Sequence, residues 1–374
     1  MDDRTSDLEQ HIRALEEALA LPLHAGNPGE LLARALAAEL ALEFRTTDAM
    51  IGLPPVDDGL IARTDALVER ALRATAEAGL AAAQSRLGRR LLERSETDAA
   101  LDQLTAAAAQ GDVEAAQLAA AVIWEDRIHE RAEQAVAVAQ RATPADATGR
   151  CDYLLGLFSF HGFGTAEDRA QSLAHHEAAA RKGHADGMFE LYAMLSQGLG
   201  REASPDEAVR WCVRAAEAGS ARAMYNLGAF HATGRGVPQD LEASIRWYDG
   251  AARGGHGRAA ATLGVMYALG QGIPEDEEQA REYFLMADAS GFDWRMLAVA
   301  TGVDVMAYEA ALDEDEDDDL DDDDDDDDDD DEEDDLDDED SDEDDLEEDG
   351  DEDDLDDEDD LDDESDDEGE QHSH

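Results

Sequence analysis

The sequence predicts an all-α protein: a right-handed superhelical solenoid of helix-turn-helix repeats with a disordered polyacidic C-terminal tail. Three observations predict it. Sequence markers recur every 36 residues, signals for helix stop and helix start alternate between them, and acidic residues crowd the end of the chain. The chain has 374 residues, with 97 acidic and 28 basic side chains and a net charge of −69. Residues 313–370 hold 49 of the acids and no Lys or Arg, so the first 312 residues carry about −20 and the tail −49.

Residues 1–78 read as a helical N-terminal cap region. Leu8, Ile12, Leu15 and Leu19 form an apolar stripe at helical spacing. Asn27-Pro28 opens a second helix that runs to about Phe44. Thr75-Ala76-Glu77-Ala78-Gly79 nearly copies Ala215-Ala216-Glu217-Ala218-Gly219, so Thr64 to Ala78 resembles the second helix of a later unit. Residues 79–150 read as two degenerate repeats. The first has Leu87-Gly88 at the marker position; the second has Ala119-Ala120, and its paired glycines are absent.

Residues 151–294 hold four clear units. Leu155-Gly156, Leu191-Tyr192, Leu227-Gly228 and Leu263-Gly264 keep the 36-residue interval. So do four glycine pairs: Gly162 and Gly164, Gly198 and Gly200, Gly234 and Gly236, Gly270 and Gly272. The single Gly183, Gly219, Gly255 and Gly291 keep it too. The paired glycines are read as structural positions that hold the repeat together. Helix A of each unit is expected to end at them, because glycine tolerates positive φ. Helix B is expected to start at Asp168, Ser204, Asp240 or Asp276, all strong N-cap types. Pro205 suits the first helical position, and Gln171, Glu207 and Gln279 lie where a capping box needs them. Helix B carries a large side chain at Trp211, Trp247 and Tyr283, with His175 as the weak equivalent, and narrows to alanine pairs such as Ala251-Ala252. The large column is expected to pack in the core and wedge neighbours into a superhelix. Residues 295–312 read as a C-terminal capping helix. Residues 313–374 cannot bury enough apolar surface to offset their ordering entropy.

The pattern Ala223-x-Tyr225-x-Leu227-Gly228, then Gly234-x-Gly236-Val237-x-x-Asp240, Trp247 and Ala251-Ala252-x-x-Gly255 resembles the Sel-one-like repeat. That family belongs to the tetratricopeptide-related helical repeat proteins. The resemblance covers residues 151–294 and implies a binding scaffold that assembles protein complexes without chemistry of its own. It assigns no functional residue, because partner contacts in such arrays come from variable positions.

The residues themselves point away from catalysis and cofactors. His175, His176 and His184 form the one histidine cluster, but they occupy repeat positions and lack the spacing of a zinc site. Cys212 has no accompanying nucleophile motif. The paired glycines follow helices and lack the Lys and strand of a phosphate loop. Acid at this density opposes direct binding to nucleic acid phosphates, and no apolar run suits a membrane helix. The start of the chain lacks a secretion signal, and the two cysteines, Cys151 and Cys212, fit a reducing, cytoplasmic compartment, with a single disulfide between them as the open alternative.

Comparison between units supplies the candidate binding positions. Residues that keep their type hold the fold, and residues that vary are free for a partner. The helix A columns Leu154, Glu190, Asn226, Thr262 and Arg150, Asp186, Arg222, Arg258 vary. From them Glu190, Arg222, Asn226, Arg258 and Thr262 are the candidate partner-binding residues on the inner face. The expected function is a non-enzymatic protein-interaction scaffold. The alternatives are a polyanionic chaperone or nucleic-acid mimic acting through the tail on basic proteins, and a regulatory subunit of an enzyme. For the tail three readings stay open: solubilisation, engagement of basic partners through acid spaced by Leu320, Leu336, Leu346, Leu355 and Leu361, and weak divalent cation binding. A fold-back of the tail onto Arg222, Arg258 and Arg295 is a further expectation.

Overall fold

The computed structural model describes residues 3–20, 27–50 and 57–308 of the chain. The expected tail lies outside them, as does the end of the expected capping helix. Among the described residues there are helices and turns but no strand. Three helices come first: α1 (Asp3–Ala20), α2 (Pro28–Met50) and α3 (Asp58–Glu77). Six antiparallel pairs follow: α4 (Ala81–Glu93) with α5 (Thr97–Ala109), α6 (Val113–Glu125) with α7 (Ala132–Ala142), α8 (Arg150–His161) with α9 (Arg169–Arg181), α10 (Ala185–Gln197) with α11 (Pro205–Glu217), α12 (Ala221–Thr233) with α13 (Leu241–Arg253), and α14 (Gly257–Ala268) with α15 (Glu277–Ala289). The short α16 (Arg295–Thr301) stops at Gly302, whose φ is +90°.

The core passes from one pair to the next. Leu15, Leu32, Val68 and Leu72 of the first three helices share one cluster with Leu87 and Ala100 of the first pair. Another joins Leu173 of α9 to Phe230 of α12, and a third runs from Tyr248 of α13 to Ala298 of α16. Each hairpin thus buries its apolar face against its neighbours, as stacked repeats must.

The hairpin turns follow one plan. Helix A of three units ends on a left-handed glycine: Gly162, Gly198 and Gly234. In the fourth unit α14 ends one residue earlier, at Leu269, and Gly270 follows with φ +62°. The second glycine of each pair marks a close approach to the preceding helix B. A Cβ on Gly164 would overlap the Ala132 carbonyl, and one on Gly272 would overlap the Leu241 side chain. On Gly200 it would stand 2.5 Å from the Arg169 carbonyl oxygen, and on Gly236 2.9 Å from the Val209 side chain. Asp168, Asp240 and Asp276 then cap helix B, accepting from the amides of Gln171, Ala243 and Gln279 at 2.9–3.0 Å.

Gly200 and Gly272 act in the turn, where both are exposed to solvent. Their φ is +82° and +78°, and the side toward helix B has no room for a side chain. Two local expectations need correction, one for the caps and one for helix B.

One correction concerns the caps. Ser204 makes no side-chain cap bond, and capping boxes do not form. The cap residue's own amide is already taken: Asp168, Ser204, Asp240 and Asp276 donate it to Ser159, Leu195, His231 and Tyr267 of helix A, nine residues back, at 2.8–3.1 Å. The turn is tied to its own hairpin, which leaves a reciprocal Gln or Glu nothing to bond.

The other correction concerns the large column on helix B. Tyr283 is buried, at 6% exposed, but His175, Trp211 and Trp247 are only half-buried. The column buried in all four units is the next one: His176, Cys212, Tyr248 and Phe284 are exposed by 1, 0, 7 and 0%. Each lies twenty residues after the marker position of the same hairpin. A Cβ on Gly228 or Gly264 would sit 2.7 or 2.5 Å from the Tyr248 or Phe284 ring, and one on Gly156 would overlap the His176 ring. The marker glycines therefore make room for rings. Where the marker is Tyr192, the facing position holds the small Cys212, and the fit is reversed.

Candidate protein-binding face

The candidate residues lie on helices α10, α12 and α14, the A helices of three consecutive units. Glu190 and Arg222 meet as an ion pair at 2.9 Å. Arg222 also reaches Asp186 at 3.6 Å, and its guanidinium lies 4.4 Å from the centre of the Phe189 ring. Ser220 donates to Asp186 at 3.1 Å. Burial works against the charge of Arg222, but Glu190, Tyr153 and Asp186 outweigh it and hold the guanidinium above its ordinary range. Burial raises the Glu190 carboxyl, and Arg222 offsets only part of the rise. Two of the five candidates are thus each other's partners, and a ligand for Arg222 must compete with two built-in carboxylates.

The other three candidates differ in kind. Arg258 is exposed and has no acid at ion-pair distance among the described residues. Asn226 is half-buried. Thr262 donates its hydroxyl hydrogen to the Arg258 carbonyl at 2.8 Å, which leaves its methyl and an accepting oxygen for a partner. Leu154, at the equivalent column of the first clear unit, is 3% exposed and belongs to the core.

Sequence reading missed a second feature of this face. His184 and His256 are helix N-caps: their Nδ1 atoms accept from Gly187 and Ala259 at 3.1 and 3.2 Å. Each ring stacks on a tyrosine of the preceding helix A. Tyr153 and His184 are 4.7 Å apart at 20°, and Tyr225 and His256 are 4.7 Å apart at 16°. Burial is the main reason that both imidazoles are held below their ordinary pKa and stay neutral, as an accepting nitrogen must. Each stack is preceded by an arginine three residues before its tyrosine, Arg150 or Arg222. The available signal was the shared 31-residue interval from Tyr153 to His184 and from Tyr225 to His256. The intervening unit hides it, with Phe189 and Ser220 at those positions.

The reactive side chains are disarmed by their surroundings. Cys151 and Cys212 are buried and unpaired, and burial pushes both thiols up to about 12, where a nucleophilic thiolate is scarce. His176 is driven down to about 3, first by burial and then by the nearby His175, His184 and Arg222. The sole lysine, Lys182, is held by buried Asp152 at 2.7 Å and by the Thr143 carbonyl at 3.1 Å, which ties α9 to the end of α7. Among the described residues no group of three or more His, Cys, Asp or Glu could hold a metal ion, and no helix is long and apolar enough to cross a membrane.

The Sel1 repeat family model matches residues 150–184, 185–220, 221–256 and 257–289. Solved structures are also similar. A Sel1 repeat protein from Oxalobacter formigenes is 27% identical, over 55% of this chain and 84% of that one, with a TM-score of 0.48. The protective antigen c5321 of uropathogenic Escherichia coli, which displays an SLR fold, is 27% identical over 60% of this chain and 49% of that one, with a TM-score of 0.48. A Sel1 repeat protein from Klebsiella pneumoniae is 20% identical over 52% and 96%, with a TM-score of 0.35. No curated protein matches the chain.

Proposed function

We propose, from the premise that residues 150–289 are four consecutive Sel1 repeats, that this chain is a non-enzymatic adaptor whose helix A face binds a protein partner. Sel1 repeat proteins generally act as protein-interaction scaffolds. The observation that carries the reading to this face is the contrast between columns. Positions that pack, such as Gly156, Gly228 and Gly264 against their rings, keep their chemistry between units. Positions 190, 226 and 262, on the helix A face, hold Glu, Asn and Thr, three different side chains in three units. A surface that varies on a fixed scaffold is where specificity can be placed without cost to the fold.

The tail carries a second activity in this reading. Its 49 acids form a polyanion that attracts basic proteins over a range set by salt, about 8 Å at physiological ionic strength. That density also favours a second reading, a polyanionic chaperone or nucleic-acid mimic in which the tail does the binding. Pull-downs with the whole chain and with a chain ending at Leu312, each at low and high salt, separate the two. The adaptor reading expects one set of partners that survives both truncation and salt, and a second set that needs the tail and is lost in salt. Loss of every partner on truncation would contradict it.

A further inference from the structure

Arg150 and Arg222 occupy the same repeat position 72 residues apart, each three residues before the tyrosine of a Tyr–His stack. Their surroundings differ in the ring that Phe189 lays against Arg222, where Arg150 has Gln117, and in the neighbouring acids. Arg222 is neutralised by Asp186 and Glu190 of the preceding helix A. The residues that stand in that relation to Arg150 are Glu114 and Leu118 of α6. Glu114 is committed elsewhere, paired with Arg89 at 2.8 Å, and Leu118 carries no charge. Arg150 is exposed and has no acid at ion-pair distance among the described residues.

Arg150 lines a recess of about 480 Å³ between α6 and the segment that leads into α8, with Leu118, Gln117, Asp146 and Thr148 among its walls. The segment is rigid because Asp146 is its hub. It accepts from the amides of Thr148, Gly149 and Cys151, from the Thr148 hydroxyl and from Gln117, at 2.6–3.2 Å. Four donors converge on its Oδ1, and the Cys151 amide takes its Oδ2. The acids at the recess, Glu114 and Asp146, are thus both engaged, and the group left for a ligand is the guanidinium of Arg150. An incoming carboxylate would leave Arg150 with a charge balance no more negative than Arg222 has already, with two acids to one arginine. Val113 and Leu118 give an apolar wall for the methylenes of the ligand.

We infer that the recess beside Arg150 binds a glutamate side chain from an extended acidic segment of a protein partner, and that Arg150 holds the carboxylate as Arg222 holds Glu190. The inference rests on the helix A face being the binding face and names the chemistry of what docks there. Glu190 is the internal example of the ligand: a glutamate side chain held at 2.9 Å by the arginine of the same repeat position.

The test uses the whole chain and a dye-labelled peptide, N-acetylated and C-amidated, in which Glu alternates with Leu and Ala. Fluorescence anisotropy is expected to show saturable binding. Arg150→Gln is expected to weaken it at least tenfold with an unchanged melting temperature, because the side chain is exposed. Leu118→Glu, which installs the missing carboxylate, is expected to weaken it as much by occupying Arg150 from within. Arg222→Gln is expected to leave it within twofold. The same peptide with Gln for Glu should not bind, and the Gln peptide with a free C-terminal carboxylate separates a side-chain carboxylate from a chain terminus. Absence of saturable binding, binding that survives Arg150→Gln, or equal binding of either Gln peptide would overturn the assignment. If the peptide fails while the array still captures partners after truncation and in high salt, only this assignment falls and the adaptor reading stands.

Discussion

Gly228 and Tyr248 show how little the fold leaves to choice at single positions. The ring lies where a Cβ would be, 2.7 Å away. Gly228→Ala gains about 1 kcal/mol of helix propensity but forces the ring aside, at about 1–3 kcal/mol. A net loss of stability is expected in chemical denaturation. The pairing of Tyr192 with Cys212 indicates the remedy: Tyr248→Cys in the Gly228→Tyr background should recover most of what the single change loses, a coupling that a double-mutant cycle reads directly. Sequence made the columns visible but not which of two adjacent columns on helix B turns inward. Size alone places Trp211 and Trp247 in the core. The inward direction is set by a glycine twenty residues away on another helix, which is a tertiary fact. Trp247→Ala should therefore cost less than Tyr248→Ala, for which about 3–5 kcal/mol is expected.

The histidines make a second prediction at this scale. Folding holds His176, His184 and His256 below the ordinary 6.5, mainly by burial. The unfolded chain titrates them near that value, so stability is full above it and falls as pH drops below it. For His176, with a folded value near 3, the loss is about 1.4 kcal/mol per pH unit over that window. The half-buried His184 and His256 add less, because solvent screens them. The melting temperature should fall as pH drops from about 6.5 to about 5, where histidines but not ordinary carboxylates titrate. Asn at 184 caps a helix at any pH, so His184→Asn should reduce the fall. An unchanged pH profile would show that protonation does not cost the cap.

Among the elements, the turns were the most legible feature where glycine marks them and the least where it does not. The paired glycines announce four hairpin turns. The first two repeats lack them, yet their A helices end in the same left-handed conformation, at Ser95 with φ 60° and at Arg127 with φ 51°. A residue with a Cβ holds this backbone at a cost of about 1 kcal/mol or more. Arg127 is partly compensated by its guanidinium, 4.1 Å from the centre of the Trp124 ring. Ser95 has no such contact and is the cleaner test: Ser95→Gly should raise stability by about 1 kcal/mol, read as a shift in denaturation midpoint at constant slope. The candidate site was half legible for a related reason. Variation between units pointed to Glu190, Arg222 and Arg258, all on one face. The Tyr–His stacks are hidden because they repeat every second unit, and a comparison at 36 residues averages them away.

For the molecule as a whole, stability is the sum of hairpins and of the interfaces between neighbours. Damage should therefore stay near its origin. Trp294 is fully buried, stacks on Phe284 at 4.0 Å and donates to Asp288 at 3.0 Å, which fixes α16 to the last hairpin. Trp294→Ala should abolish hydrogen-exchange protection in α14, α15 and α16 and leave α4 to α9 protected. A uniform loss along the array would mean that it unfolds as one unit. The net charge of −69 describes no single part of the molecule: it combines a moderately acidic array, most of whose arginines are engaged by neighbouring acids or rings, with a tail that carries most of the excess. The central claim is that partners dock on the helix A face independently of the tail. Hydrogen exchange on the whole chain and on the chain ending at Leu312, each bound to a salt-resistant captured partner, tests it most directly. The account predicts added protection along the A helices, in α8, α10, α12 and α14, at the same positions with and without the tail. Protection confined to the B helices, or lost with the tail, would contradict it.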